Sequence, residues 1–92
     1  MGLVFEWDAR KARENVRKHG VSFEEAATVF GDPLSLTIPD PLHGKREERF
    51  ITVGASISGR LIIVVHTDRD NNIRLISVRG ATKQEGRDYE ER

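Results

Sequence analysis

The chain has no cysteine, which removes a disulfide framework, thiolate metal sites and a cysteine nucleophile together. It has no net charge either: 15 Lys plus Arg stand against 15 Asp plus Glu, which argues against a general coat for nucleic acid but leaves local patches open. Long apolar runs are missing. The longest, Leu61–Val65, is far short of the roughly 20 residues that cross a bilayer. Met1–Phe5 runs into Glu6 and Asp8, so no signal-peptide core is predicted, and a cytoplasmic protein without a membrane partner is expected. His19, His43 and His66 stand far apart and form no H-x-x-x-H or H-E-x-x-H spacing, so neither a metal nor another cofactor is expected. The glycine pattern of a P-loop or dinucleotide fold is absent, and no serine sits in a G-x-S-x-G setting.

What is present reads as one domain over residues 1–92, with a modest core and 33% charged residues. Leu3–Trp7 is a short strand, and Asp8 is suited to cap a helix whose apolar face is Ala9, Ala12 and Val16, ending at Gly20. Ser22 and Glu25 form an S-x-x-E box before Phe23, Ala26, Ala27 and Phe30, one face of a second helix closed by Gly31-Asp32-Pro33. The period then changes to two. Leu34, Leu36 and Ile38 open a strand, Leu42–Glu47 reads as a polar loop, and Phe50–Ala55, Arg60–Thr67 and Ile73–Val78 follow as strands. Asp70-Asn71-Asn72 marks a hairpin turn, because Asn and Asp tolerate positive φ. Thr82 and Glu85 form another box, opening a polar C-terminal helix through Tyr89. The fold class is α+β: a short N-terminal strand, two helices, a four-stranded, mostly antiparallel sheet and a C-terminal helix, with the helices expected on one face.

Two sets of cations stand out. Arg60, Arg69, Arg74 and Arg79 lie at strand ends, where several guanidinium groups on a rigid sheet can surround one phosphate. The plainer reading is solvated charge, or pairing with Glu47, Glu48, Asp68 or Asp70. The first helix carries Arg10, Lys11, Arg13, Arg17 and Lys18 against one acid, Glu14; this is either a contact for a nucleic-acid backbone or a solvated face. His19 is a proton-transfer group or a residue favoured at a helix C-terminus, and Tyr89 a proton donor or a cap on the sheet.

The runs Phe5-Glu6-Trp7-Asp8, Lys18–Ala26, Phe30 with Asp32-Pro33, Glu48-Arg49-Phe50, Gly59-Arg60-Leu61, Thr67 with Arg69, Ile73–Ser77 with Arg79, and Ala81-Thr82 with Glu85 and Tyr89 resemble the BrnT toxin family in order and spacing. The likeness extends from Phe5 to Glu90; His66 departs from the aromatic expected there and Val78 from an alanine. The resemblance implies a toxin of a type II toxin–antitoxin pair, with a fold related to the RelE ribonucleases, that cleaves RNA and arrests translation. It implies as partner a BrnA-like ribbon-helix-helix antitoxin that represses the shared operon, so that operator DNA is met only through the antitoxin. A non-catalytic subunit that holds this partner and modulates repression is the alternative. A direct transcription regulator is less well supported, since no recognition helix appears.

Metal-free RNA cleavage needs a base for the 2′-hydroxyl, positive charge for the phosphorane and an acid for the leaving oxygen. By resemblance to RelE-type toxins, Arg60 and Arg79 are expected to hold the phosphorane, with Arg69 and Arg74 as further substrate contacts. Glu48 or His19 is expected as the base, and Lys18 or Tyr89 as the acid.

Overall fold

In a computed structural model, residues 2–41 and 48–91 are described; the expected loop Leu42–Glu47, with His43 and Glu47, lies outside the described residues. The chain runs through strand β1 (Phe5–Glu6), helices α1 (Ala9–His19) and α2 (Phe23–Ala27), a 3-10 turn (Thr28–Gly31), strands β2 (Leu36–Pro39), β3 (Phe50–Ala55), β4 (Leu61–Arg69) and β5 (Asn72–Gly80), and helix α3 (Lys83–Glu91). The strands form one sheet in the order β1-β5-β4-β3-β2. β2 to β5 pair antiparallel, while β1 adds to β5 in parallel through Phe5–Ile73 and Glu6–Arg74, so the short first strand makes the sheet five-stranded. Among the described residues no helix is long and apolar enough to cross a membrane.

Local signals set the ends of these elements. Asp8 accepts the Arg10 N–H at 2.8 Å, and Gly20 closes α1 in the left-handed region that favours glycine. Ser22 Oγ accepts the Glu25 N–H, and Thr82 and Glu85 complete a reciprocal box at the start of α3. Asp70 and Asn71 both take positive φ, the geometry that joins β4 to β5 in a tight hairpin.

Alternation along β4 sends Ile62, Val64 and His66 to one face and Leu61, Ile63 and Val65 to the other. The first face meets Val21, Phe23, Ala26 and Val29, and with Leu75 and Val78 these make the core. α1 departs from the expected face: Val16 is 46% exposed, and the buried residue is Asn15. Its amide donates to the carbonyls of Val78 (2.6 Å) and Val21 (3.2 Å) and accepts the Val78 N–H (3.1 Å). A polar side chain wins this place because it saturates backbone groups that an apolar one would leave unpaired. The third helix also departs from expectation. α1 and α2 cover the core face, but α3 lies across the other, where Glu85 and Tyr89 share a hollow with Leu36, Ile38, Ile51, Val53 and Ile63.

Candidate active site

α1 runs in the same direction as β5, because Glu6 pairs with Arg74 and Asn15 bonds Val78. Its last turn, with Lys18 and His19, therefore finishes at the end of the sheet where β5 finishes and β4 begins. Arg60, just before β4, closes the join: its Nη2 donates to the carbonyl of Gly20 at 3.0 Å. Its Nε and Nη2 also donate to the carboxylate of Glu25, at 2.9 and 2.7 Å. The hydroxyls of Ser56 and Ser58 reach the same carboxylate at 2.7 and 2.6 Å, so the β3–β4 turn, α2 and the end of α1 are tied at one point.

Four donors fix the ionisation of that carboxyl. The Arg60 guanidinium first, then the two serine hydroxyls, hold Glu25 down to about 2, and Arg60 is raised in return. Glu25 is thus a permanent anion here and orients the guanidinium rather than moving protons. The Nη1 edge of the half-exposed Arg60 has no hydrogen-bond partner among the described residues, and it is open to a phosphate oxygen.

Arg79 belongs to the same end of the sheet but to the other face. Its Nη1 and Nη2 each donate to one oxygen of Glu85 at 2.8 Å, which holds Glu85 down to about 2 and pins the first turn of α3. Arg60 and Arg79 are therefore separated by the sheet, each with its own carboxylate. Tyr89 reaches from α3 to donate to Asp32, which also accepts the Ala55 N–H.

The remaining candidates lie at the far end. Arg69 closes β4, Arg74 is bonded to Glu6 at 2.9 Å, and the exposed Glu48 is tied there by its carbonyl, which accepts from Thr67. The structure thus gathers Lys18, His19 and Arg60 at one turn, with Arg79 and Tyr89 behind the sheet, and leaves Glu48, Arg69 and Arg74 apart. Among the described residues Arg60, Arg74 and Arg79 pair with Glu25, Glu6 and Glu85, none of them among the acids that proximity in sequence suggests. Their one visible signal was that Glu25 and Glu85 each close a capping box.

His66 fills a further polar position in the core. It is buried between Phe30 and Phe50, with Nε2 bonded to Thr52 Oγ1 at 2.7 Å, and burial pushes it below the usual histidine range.

Comparison with known proteins adds two findings. A family profile described as "Ribonuclease toxin, BrnT, of type II toxin-antitoxin system" matches residues 7–85. The crystal structure of the Brucella abortus ribonuclease toxin BrnT superposes with a TM-score of 0.64 at 21% identity, covering 89% of this chain and 100% of that one. At that identity the superposition speaks for the fold. No curated protein matches the chain.

Proposed function

Because the chain belongs to the BrnT family of ribonuclease toxins from type II toxin–antitoxin systems, we propose that it cuts RNA without a metal ion, at the α1–α2 turn, and arrests translation by doing so. One observation carries the placement: Arg60, oriented by Glu25, is bonded to the turn that follows Lys18 and His19. In this reading His19 takes the proton of the 2′-hydroxyl, whose oxygen attacks the adjacent phosphorus. Histidine is the side chain suited to that task near neutral pH. Arg60 steadies the phosphorane through its open edge, and Lys18 gives a proton to the departing 5′-oxygen. The products are a 2′,3′-cyclic phosphate and a 5′-hydroxyl. Glu85 grips Arg79 to hold α3, and Arg69 and Arg74 lie too far along the strands to touch the same phosphate.

The family brings an antitoxin partner with it. We propose that the partner is a BrnA-like ribbon-helix-helix protein, that this chain meets operator DNA only through it, and that both work in the cytoplasm.

The test uses antitoxin-free protein and single-stranded RNA in EDTA. Cleavage leaving cyclic phosphate ends is expected, and a 2′-deoxy residue at the cut site should block it. Cleavage that stops on chelation and returns with a divalent ion overturns the mechanism. A non-catalytic subunit is the second reading, favoured by the carboxylates already bound to Arg60, Arg74 and Arg79. Antitoxin binding without any RNA cleavage selects it.

A further inference from the structure

In a chain of zero net charge, the arginines that reach an acid on another element are neutralised: Arg60 by Glu25, Arg74 by Glu6, Arg79 by Glu85. α1 is different. Arg10, Arg13 and Arg17 are exposed, and none has an ion pair among the described residues. At 100° per residue they lie within one narrow arc, opposite the buried Asn15, and form an outward ridge about 10 Å long. Glu14 beside them is the one acid of the helix, and the ridge ends at Lys18 and His19.

A second feature adjoins this ridge. Arg13 also lines a hollow of about 270 Å3 whose other walls include Trp7, Ala12, Val16, Phe23 and, at its rim, the one carboxylate, Glu24. Trp7 is half-buried, its ring edge-on to Phe23 at 5.8 Å, and with the 46%-exposed Val16 it forms an open apolar wall between Arg13 and Glu24. A line of guanidinium groups suits a chain of regularly spaced anions, and an aromatic hollow beside it suits flat, stackable rings. Single-stranded nucleic acid supplies both in one molecule. A run of acidic side chains supplies only the first, and its spacing is less regular than that of phosphates.

We infer that the α1 ridge and the Trp7 hollow form a docking track for single-stranded RNA, with Arg10, Arg13 and Arg17 on phosphates and a base against Trp7. The track leads to the α1–α2 turn. This rests on the reading of RNA as substrate, but its test needs no cleavage.

Trp7 is the chain's one tryptophan, so its fluorescence reports this hollow alone. The probe is a 2′-O-methyl oligoribonucleotide, which binds but cannot be cut. Saturable quenching of Trp7 is expected, and an abasic oligomer of equal charge should bind without quenching. Each Arg→Gln change at 10, 13 or 17 should lower the slope of log K against log salt by about 0.7, so the triple variant by about 2, with binding weakened at least tenfold. Circular dichroism should stay unchanged, because the three side chains are exposed.

Wild-type affinity and slope in the triple variant overturn the inference. So does an unquenched Trp7 at saturation, or displacement of the oligomer by polyglutamate at equal charge concentration, which would mark a surface for an acidic protein. If the ridge binds the oligomer but RNA is never cleaved, the docking track stands and the ribonuclease mechanism falls. Cleavage with unchanged KM in the triple variant means the reverse.

Discussion

Glu25 receives both the Nε and Nη2 hydrogens of Arg60, and among the described residues no other acid contributes to that pair. The carboxylate comes from the capping box of α2 and the guanidinium from the turn between β3 and β4, so one interaction fixes the angle between helix and sheet. It also leaves one edge of a planar cation pointing outward.

Replacing Arg60 by alanine should slow RNA cleavage by roughly a hundred- to a thousandfold, the usual cost of one lost donor to a developing oxyanion. Arg60→Lys should recover only part of that, since an ammonium keeps the charge but cannot hold Glu25 by two prongs and still turn a free edge to the phosphate. Arg79→Ala, on the other face, should stay within about tenfold of wild type while loosening α3. Initial rates on one RNA substrate, with far-UV circular dichroism of each variant, separate the two arginines.

Acid should destabilise the protein over two separate pH ranges. Burial lowers His66 below its ordinary 6.5, so the unfolded chain binds that proton more readily, and stability falls as pH drops through 6.5. Glu25 and Glu85, held near 2 against an ordinary 4.5, stabilise fully above 4.5 and lose that contribution as pH falls toward 2. Denaturant midpoints from pH 8 to 3 should show both declines, and His66→Phe should remove the first alone.

Asn15→Leu should cost about 3 kcal/mol, although leucine is the more apolar residue and the better helix former. The change strands the N–H and carbonyl of Val78 and the carbonyl of Val21, all bonded to the amide in the native fold. Urea unfolding at neutral pH measures it, and a variant as stable as wild type contradicts the role given to the amide.

At Gly54 a methyl group would come within 2.8 Å of Val29 Cγ1 and 2.9 Å of Ser35 Cβ, closer than such atoms pack. Gly54→Ala should therefore destabilise by about 1–3 kcal/mol as β3 and the 3-10 turn are pushed apart. The melting temperature gives the answer.

Signals confined to a few neighbouring residues were legible in the sequence. Asp8 and Gly20 bound α1, and Asp70 and Asn71 turn the chain, because each acts on backbone groups within a few residues of itself. Arginines at strand ends were legible too, but their partners were not. Glu6 and Arg74 are 68 positions apart, and only the sheet register brings them together. Asn15 was hidden for the same reason, since an amide in a core makes sense only beside the strand it satisfies. The side of the sheet taken by α3 was not read, because the apolar surface that Leu36, Ile38 and Ile63 leave there appears only once the strands are paired.

The parallel seam between β1 and β5, with the Asn15–Val78 bonds beside it, joins the beginning of the chain to nearly its end. During synthesis β1 and α1 wait for a docking surface that is translated more than 50 residues after them. A message truncated before β5 would release a peptide whose basic helix has nothing to anchor it.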